Sequence, residues 1–346
     1  YHLLRSLLAL DEQVEYVGYL RPGSLQAGRL EGWPVHDRLR WVETPRWLMP
    51  CRGAWDRLDL YHGPNFKMHT TGRSGGIVTI HDLWLARHPE YSRKLLGQAG
   101  SSRRAVATAN RARRVVTVSE FSAREIEALY GIPRERVVVI HNGVTEEFSP
   151  VQDEQGMAVL RARWAIPSAG FILFVGGADP RKNHRVFLQA VAQSRSQLGG
   201  RAILLVGDAE HPQGSYLATA RSLGLEQDVR CTGRLNREDL CRLYSYAEVF
   251  VFPSLYEGFG MPVLEAMACG APTITSSTSS LPEVAGDAAL LVNPEDAEAL
   301  GAAMVKVLSE QALQQQLRDR GFERTRLFTW QRAALRTSAL YRELCA

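Results

Sequence analysis

The sequence predicts an α/β protein built from two doubly wound domains. Short β-branched runs alternate with helical patterns from one end to the other, which is typical of parallel sheets covered by helices. With 346 residues, of which 45% are hydrophobic and 23% charged, the chain is long enough for about two domains. Asn142, Gly143 and Pro150 interrupt the pattern between two such α/β runs, which indicates a domain boundary there.

The second half of the chain contains a full set of strand candidates. Helical patterns separate these apolar runs, so together they predict a complete doubly wound domain. The predicted strands are 171–176, 202–207, 228–232, 249–253, 272–276 and 289–292.

The first half predicts a similar domain with one element missing. Residues 1–10 have a helical pattern, whereas a doubly wound domain normally opens with a strand and a tight turn. We therefore expect the first strand of this domain to precede residue 1. The predicted strands are 14–20, 59–62, 76–82, 114–119 and 136–143, and the last amphipathic helix is predicted over 328–344.

Local signals also predict where one helix begins and ends. In the stretch 119–133, Ser122 and Glu125 have the spacing of a capping box, and Gly131 followed by Pro133 predicts the helix end. The chain as a whole then divides into an N-terminal domain (1–148), a C-terminal domain (149–326) and a final helix (327–346) that we expect to return to the N-terminal domain.

Charge is distributed unevenly along the chain. The net charge is +4, but residues 1–150 hold 21 basic and 16 acidic side chains, and the remainder holds 20 basic and 21 acidic ones. Basic side chains and Trp both favour a lipid–water interface, so contact with an anionic membrane surface or a lipid phosphate is a hypothesis for the first half. The residues behind it are Arg103, Arg104, Arg111, Arg113, Arg114, Trp33, Trp41, Trp47 and Trp55.

Other compositional features exclude whole classes of protein. The five cysteines are odd in number and include no C-x-x-C pair, which argues against a disulfide framework and a zinc cluster and favours a reducing cytosol. No apolar run reaches the ~18 residues of a membrane-spanning helix. The histidines other than His81 lack metal-ligand spacing, and no Asp-x-Asp motif is present. The sequence therefore predicts no metal site.

The stretch PSLYEGFGMPVLE, residues 253–265, predicts a tight loop that leads into a helix. Gly258 and Gly260 flank Phe259 directly after a predicted buried strand. Pro262 suits the first helical turn because its ring fixes φ and its missing N–H would be unpaired there. The helix is therefore predicted to begin near Met261.

The start of that helix has the character of an anion site. Exposed backbone amides at Val263 and Leu264, with the positive end of the helix dipole behind them, would attract a phosphate. Glu265 lies in the first turn of a helix that is apolar nearly all round, and a buried carboxylate needs hydrogen-bond donors. Ligand hydroxyls at Glu265 and at Glu257, beside a phosphate, describe a nucleotide sugar; a structural partner or the helix dipole is the alternative for Glu265.

At this point the sequence resembles a known family. EGFGMPVLEAMACG resembles the E-x7-E signature of the retaining GT-B glycosyltransferases of family 4, also called group 1. Further motifs follow the family's order over nearly the whole chain: HGPNF, TIHDL, VTVSEFS, VIHNGV, FVGGADPRKN, TGRLNREDL and SSLPEVAGDAALLV. The resemblance implies a GT-B architecture, with two Rossmann-like domains facing each other across a cleft.

The resemblance also implies roles for the residues of the signature. Glu257 would contact hydroxyls of the donor sugar, and Glu265 would bind the ribose hydroxyls. Gly258 and Phe259, followed by Gly260 and Met261, would bring backbone amides close to the donor.

Basic residues of the second half match the family's diphosphate site. Arg181 and Lys182, in the loop after Gly177, match the cationic pair that neutralises the donor diphosphate, and charge is required there because the leaving group becomes more negative. A basic pair in a turn is otherwise mostly solvated surface. Arg234, in TGRL, matches the loop that borders the base.

In the first half, His81 and Asp82 follow a predicted strand at its carboxyl end, where ligands bind in open α/β sheets. A lone His is usually structural, but the His of this motif faces the donor sugar in the family. Ser119 is interpreted as a helix cap rather than an acceptor contact.

The resemblance implies a cytosolic glycosyltransferase that uses no metal ion or cofactor and retains the anomeric configuration. The pattern of His81, Asp82, Leu83 and Pro89 resembles bacterial mannosyl- and rhamnosyl-transferases of polysaccharide assembly, so GDP-mannose is the expected donor and a lipid-diphosphate-linked glycan the expected acceptor. No nucleic acid partner is expected, and peripheral contact with the inner face of the plasma membrane is a hypothesis.

Several alternatives remain open at the sequence level. A dTDP- or UDP-sugar could replace GDP-mannose within the same class. A sugar-nucleotide hydrolase or epimerase, or a nucleotide-sugar-binding protein without activity, could share the architecture. A dinucleotide-dependent oxidoreductase is disfavoured because no G-x-G-x-x-G motif is present.

Overall fold

The computed structural model describes residues 1–10, 13–28, 30, 32–89, 98–211 and 214–346. The chain divides into two compact units. The first unit comprises Tyr1–Gly143 together with Phe328–Ala346, and the second comprises Val144–Leu327. The division after Gly143 lies close to the boundary that the sequence predicts after residue 148, and the last helix belongs to the first unit.

Helices and strands alternate through both units. The helices are α1 (His2–Ala9), α2 (Met49–Trp55), α3 (Trp84–Arg87), α4 (Gln98–Arg111), α5 (Glu120–Tyr130), α6 (Glu154–Arg163), α7 (His184–Ser194), α8 (Tyr216–Ser222), α9 (Arg237–Tyr246), α10 (Met261–Ala268), α11 (Leu281–Ala285), α12 (Ala297–Ser309), α13 (Gln311–Thr325) and α14 (Trp330–Cys345). The strands are β1 (Tyr16–Leu20), β2 (Leu39–Glu43), β3 (Tyr61–Gly63), β4 (Gly76–Ile80), β5 (Arg114–Thr117), β6 (Val137–Val139), β7 (Phe171–Val175), β8 (Ala202–Val206), β9 (Glu210–His211), β10 (Gly214–Ser215), β11 (Val229–Gly233), β12 (Val249–Phe252), β13 (Thr273–Ser276) and β14 (Ala289–Val292).

The first unit contains a four-stranded parallel sheet in the order β3-β4-β5-β6 and a separate parallel pair, β1 with β2. The five predicted strands are confirmed, and β2 was missed because its charged residues interrupt the apolar pattern. Helix α14 packs against α1, and its apolar side joins a core cluster with Ile77 of β4 and Val116 of β5. The predicted first and last helices are therefore confirmed.

The second unit contains a six-stranded parallel sheet in the order β11-β8-β7-β12-β13-β14. All six predicted strands are confirmed; β7, β8, β12 and β13 are largely buried, which explains their continuous apolar sequences. The strand order reverses between β7 and β12, so this pair forms the topological switch point at whose carboxyl edge open α/β sheets bind ligands. The loops that follow β7 and β12 meet there.

Helix α5 begins in a different way from the sequence prediction. Its cap is Ser119, whose hydroxyl accepts from the Ser122 amide at 3.0 Å. The predicted capping box of Ser122 with Glu125 is therefore wrong, since Glu125 receives two hydrogen bonds from the Arg87 guanidinium at 2.7 and 2.9 Å instead. The helix ends at Gly131 with φ of +64°, as predicted.

Part of the basic run before β5 has a structural role. Arg113 donates to the backbone carbonyl of Leu344 at 3.0 Å, and Arg114 pairs with Glu343 at 3.2 Å, so both bind the end of α14. Within the described part of the chain, no helix combines the length and the apolar character needed to cross a bilayer.

Candidate active site

The loop after β7 presents two cations at the switch point of the second unit. Pro180–Lys182 form a single 3-10 turn, and the Asp179 carboxylate begins that turn by accepting from the Arg181 amide at 2.9 Å. The turn ends at Asn183 with φ of +61°, a left-handed conformation that Asn tolerates better than most residues. Local sequence therefore fixes the shape of the loop that carries Arg181 and Lys182.

Tertiary contacts attach this loop to the loop after β12 and to the residues that follow β14. The buried amide of Asn183 donates to the carbonyl oxygens of Pro253, at 3.0 Å, and Pro294, at 2.6 Å. The backbone amide of Leu255 donates to the Arg181 carbonyl at 2.9 Å. The two loops are thus held against each other by backbone and amide hydrogen bonds, independently of any charge.

The carboxylate of Glu257 lies between the cations of the neighbouring loop. Lys182 Nζ is 2.6 Å from Oε1, Arg181 Nη1 is 3.3 Å from Oε2, and the Ser254 hydroxyl donates to Oε1 at 2.7 Å. Burial alone would raise the pKa of Glu257, but Lys182 and Arg181, helped by hydrogen bonds from Lys182 and Ser254, hold it below its ordinary value.

Two carboxylates face the two cations of this cluster: Glu257, and Asp179, whose Oδ2 lies 3.9 Å from Arg181 Nε. The Lys182 ammonium also lies 4.9 Å from the centre of the Phe252 ring, and the Glu257 residue is only 7% exposed. An anion that bound here would compete with the Glu257 carboxylate for the two cations. Glu257 therefore has a second effect that the sequence did not reveal, since it holds the two basic side chains in place.

Serine side chains shape the glycine-flanked loop that leads into α10. The hydroxyl of Ser280 donates to the carbonyl oxygens of Glu257, at 2.9 Å, and Phe259, at 2.8 Å. The Glu257 amide donates to the Ser279 hydroxyl at 3.1 Å. Sequence reasoning missed these serines; the run of Ser and Thr at 276–280, between a strand and a helix, is the signal that would have indicated them.

Helix α10 begins at Met261, as predicted, with Pro262 in its first turn and Gly260 at φ of +110° before it. The Val263 amide, however, donates to the Gly260 carbonyl at 3.0 Å, and Val263 and Leu264 are both buried. The prediction of an exposed amide at Val263 is wrong, because the tight turn at Gly260 already provides its acceptor.

Glu265 occupies an apolar environment on α10. The Tyr244 hydroxyl donates to its Oε2 at 3.4 Å, and Val263, Leu264 and Ala266 beside it are buried. Burial raises the pKa of Glu265 to about 7, although Tyr244, Arg237 and Lys182 oppose the shift. A long hydrogen bond of this kind leaves the carboxylate able to accept from the hydroxyls of a ligand.

Glycines allow the strand ends of β7 and β8 to approach each other closely. A Cβ on Gly207, whose φ is +126°, would lie 1.9 Å from the Gly176 carbonyl oxygen, whereas one on Gly177 would meet nothing closer than 3.8 Å. Gly177 therefore leaves open space at the edge of the site. Arg234 lies at the neighbouring strand end, where its guanidinium donates to both oxygens of Asp208, at 2.9 and 2.6 Å.

In the first unit, His81 follows β4 and its orientation is fixed. Its Nε2 lies 2.9 Å from the Pro64 carbonyl oxygen, and its ring packs 6.1 Å from that of Phe66. Because a carbonyl oxygen only accepts, Nε2 donates the proton of this hydrogen bond. Asp82 precedes the short helix α3 and accepts from the amide of its first residue, Trp84, at 3.1 Å.

A second histidine near this edge was missed by sequence reasoning. His62 of β3 lies between the Tyr341 hydroxyl, 2.6 Å from Nδ1, and the Thr79 hydroxyl, 2.7 Å from Nε2. Burial, with a smaller effect of His81, lowers the pKa of His62 to about 4. His62 belongs to the motif HGPNF, which was noted only for its family resemblance. Its partner Tyr341 is distant in sequence, so no local pattern indicated the contact.

The site residues of the second unit thus converge at one sheet edge, and His81 and Asp82 lie at a sheet edge of the first unit. Within the residues that the structure describes, no three His, Cys, Asp or Glu side chains are grouped closely enough to hold a metal ion.

Comparison with known proteins agrees with this geometry in both halves of the chain. A family model described as "Glycosyltransferase Family 4" matches residues 1–148, and one described as "Glycosyl transferases group 1" matches residues 159–324. O-antigen chain mannosyltransferase B of Escherichia coli is 32% identical over 310 residues, which cover 88% of this chain and 80% of that protein.

Solved structures show the same fold. Sucrose-phosphate synthase from Thermosynechococcus elongatus superimposes with a TM-score of 0.73 at 24% identity, over 99% of this chain and 91% of that one. HepE from Anabaena, solved in complex with UDP-glucose, gives a TM-score of 0.73 at 17% identity, over 96% of this chain and 100% of that one. These structures are GT-B glycosyltransferases, which confirms the predicted architecture of two Rossmann-like domains.

The signature around Glu257, the doubly wound second unit and the two family matches all lead to one assignment. The predicted enzyme class is confirmed, and the chain belongs to the group 1, family 4 glycosyltransferases.

Proposed function

We propose that this enzyme transfers a hexose from a nucleoside diphosphate sugar to a hydroxyl of a glycan, with retention at the anomeric carbon. The observation that carries the proposal is the cluster of Arg181, Lys182 and Glu257 at the switch point of the second unit. A glycosyl transfer of this kind releases a nucleoside diphosphate, whose negative charge grows as the bond to the sugar breaks. The two fixed cations stabilise that charge.

In the proposed reaction, the bond between the anomeric carbon and the phosphate oxygen breaks as the acceptor oxygen bonds to the same face of the sugar. The acceptor proton passes to the departing phosphate oxygen, so the protein supplies no separate base. Arg181 and Lys182 take up the charge of the diphosphate, and Glu265 accepts from the ribose hydroxyls. His81 orients and polarises the sugar.

The proposal includes metal independence. Arg181 and Lys182 supply two positive charges where other transferases use a divalent cation, and Glu257, itself held by the Ser254 hydroxyl, already fixes the direction of these side chains. Because the positive charge is covalently part of the protein, turnover is expected to persist in the presence of EDTA.

GDP-mannose is the proposed donor. Support comes from O-antigen chain mannosyltransferase B, which shares 32% identity with this chain over most of its length. A UDP-sugar is the strongest alternative, because HepE, of the same fold, was solved with UDP-glucose. A dTDP-sugar remains within the class, and sugar discrimination depends on a few hydroxyl contacts that fold similarity does not determine.

The proposed acceptor is a lipid-diphosphate-linked glycan of bacterial polysaccharide assembly, processed in the cytoplasm. The O-antigen relative supports a growing polysaccharide chain as the acceptor class. A nucleotide-sugar hydrolase, by contrast, would release free sugar at an equal rate without an acceptor, and a binding protein would release none.

The test is donor binding followed by transfer, both in EDTA. Calorimetry with GDP-mannose, UDP-glucose, dTDP-rhamnose and ADP-glucose should show one clear binder, and NMR of the glycoside formed should show the anomeric configuration of the donor. Lys182→Ala should weaken donor binding at least tenfold. Arg221→Ala is the matched control, because Arg221 is an exposed cation paired only at the surface with Glu226.

Each part of the proposal has its own contrary result. Absence of binding by all four donors, or equal effects of the Lys182 and Arg221 substitutions, would contradict the assigned diphosphate site. An inverted product would contradict the mechanism, and loss of turnover in EDTA that Mg²⁺ restores would contradict metal independence.

A further inference from the structure

Helix α2 of the first unit exposes an apolar face to solvent. Trp47, just before the helix, is 76% exposed, and Trp55, at its end, is 61% exposed. Between them, at helical spacing, the exposed residues of the turn and helix are Pro50, Cys51 and Ala54. The other two tryptophans of this region, Trp33 and Trp41, pack edge to face at 5.4 Å, so the exposure is specific to α2. We call residues 47–55, seen from solvent, the tryptophan face.

The opposite side of α2 is fixed to the body of the unit. A Cβ on Gly53 would lie 1.8 Å from the Thr71 carbonyl oxygen, and the Gly53 amide donates to the Thr70 hydroxyl at 3.0 Å. The Thr70 hydroxyl in turn donates to the Pro50 carbonyl at 3.1 Å. The helix therefore cannot turn its indoles inward, because its other side is already in close backbone contact.

One indole is also held in place by a cation. The Arg52 guanidinium lies 6.0 Å from the centre of the Trp55 ring and 5.8 Å from that of Tyr19, and its Nε donates to the Thr44 hydroxyl at 3.1 Å. An exposed indole that is fixed in this way loses little conformational entropy when it is buried against a partner.

The charge beside the tryptophan face is positive. Arg46 and Lys67 are exposed, and they lie close enough to His69 that their charges add to the effect of burial in lowering its pKa. Asp56, which directly follows the helix, is neutralised within the fold. Its carboxylate accepts from the Tyr19 hydroxyl at 2.6 Å and from Arg40 at 3.1 Å.

We propose that the tryptophan face, with Arg46 and Lys67 beside it, docks on the surface of an anionic lipid bilayer. Indoles favour the boundary between headgroups and acyl chains, and basic side chains are attracted to anionic headgroups. A second copy of the chain fits less well. Burying two such indoles removes roughly 300 Å² from water, whereas a stable dimer buries about 800 Å² on each partner.

Lys67, beside the tryptophan face, is connected to the His81 edge of the first unit. Lys67 lies in the segment after β3, and the same segment contains Pro64, whose carbonyl receives the His81 hydrogen bond. Docking would bring this sheet edge near the membrane, where a lipid-linked acceptor is found. This last connection rests on the proposed function, but bilayer binding itself does not.

The test is vesicle binding without donor or acceptor. The protein should sediment with vesicles of phosphatidylglycerol and phosphatidylethanolamine at low salt, and much less with phosphatidylcholine. Trp47→Ser/Trp55→Ser should weaken the partition constant at least tenfold, and Arg46→Gln/Lys67→Gln should weaken it roughly 25-fold at low salt, about fivefold for each charge. Quenching of tryptophan fluorescence by brominated lipids should disappear in Trp47→Phe/Trp55→Phe.

Matched controls distinguish binding through the tryptophan face from nonspecific effects of exposed apolar side chains and of net charge. Val159→Ser/Leu217→Ser removes two exposed apolar side chains elsewhere, 65% and 52% exposed, and Arg221→Gln/Arg326→Gln removes two exposed charges. Both should bind vesicles like the wild type. Equal losses in the test and control pairs would overturn the proposal, as would lipid-free dimerisation that Trp47→Ser/Trp55→Ser abolishes. Donor binding by the tryptophan variants should stay unchanged, so failure here is distinguishable from failure of the proposed function.

Discussion

Glu257 and Lys182, on different loops of the second unit, form a buried ion pair with 2.6 Å between Oε1 and Nζ. Their side chains are 9% and 14% exposed, so removing one partner leaves the other poorly solvated. We expect Lys182→Met to destabilise the protein by about 3 kcal/mol in urea unfolding and to lower turnover roughly 10²- to 10³-fold.

The double variant Lys182→Met/Glu257→Gln separates the two effects. It should recover most of the lost stability, because the buried Glu257 carboxylate is no longer left without Lys182 and Arg181 keeps Asp179 3.9 Å from its Nε, but none of the turnover. If the double variant regained turnover as well, Lys182 would be a structural residue only.

The pKa of Glu265, about 7, predicts a pH-dependent stability. Between pH 4.5 and 7 the folded protein holds a proton that the unfolded chain has released, so the stabilising contribution is fully present below pH 4.5 and falls as pH rises through 7. The contribution of Glu265 to the free energy of unfolding that is lost by pH 8 amounts to about 3 kcal/mol. Glu265→Gln should therefore be more stable than the wild type at pH 8 and close to it at pH 4.5, as measured by urea unfolding.

The same carboxyl gives a binding test. If the ionised form of Glu265 accepts from ribose hydroxyls, donor binding at pH 6.5 releases a proton. Calorimetry in two buffers of different ionisation enthalpy should detect this release in the wild type. The signal should vanish in Glu265→Gln; its persistence there would place the proton on another group.

Because His62 is buried, we expect the protein to lose stability at acidic pH. Burial lowers its pKa to about 4, so between pH 6.5 and 4 the unfolded chain binds a proton that the folded protein refuses, and stability falls as the pH falls through this range. Relative to His62→Gln, the wild type should lose about 2 kcal/mol between pH 7 and pH 5. Parallel pH profiles for the two proteins would contradict the buried, neutral imidazole.

Two substitutions of Asn183 should separate the effect of backbone strain on stability from the effect of its hydrogen bonds. Asn183→Ala removes both amide hydrogen bonds and puts at φ of +61° a residue that tolerates the left-handed region less well than Asn, so a loss of about 2–3 kcal/mol is expected. Asn183→Gly relieves the strain and should recover about 1 kcal/mol of it. Both should raise the KM for the donor more than they lower kcat, because the loop of Arg181 and Lys182 loses its attachment.

The sequence by itself determined the strands, several helix ends and the family. Buried parallel strands need continuous apolar runs, so β7, β8, β12 and β13 could be read directly, and Gly131 and Pro262 are local signals with local causes. The motifs around Glu257 were equally legible, because the loop and the helix that follow it are contiguous in the chain.

Only the tertiary structure decided which partners these residues take. Lys182 and Glu257, or His62 and Tyr341, meet because of strand order and helix packing, and no local pattern encodes such distant pairs. The same is true of exposure: the four tryptophans of the first half look alike in sequence, but Trp33 and Trp41 pack together while Trp47 and Trp55 face solvent. The burial of a side chain and the pairing of its charge depend on neighbours that are distant in sequence. They are therefore set by the tertiary fold and not by the local sequence.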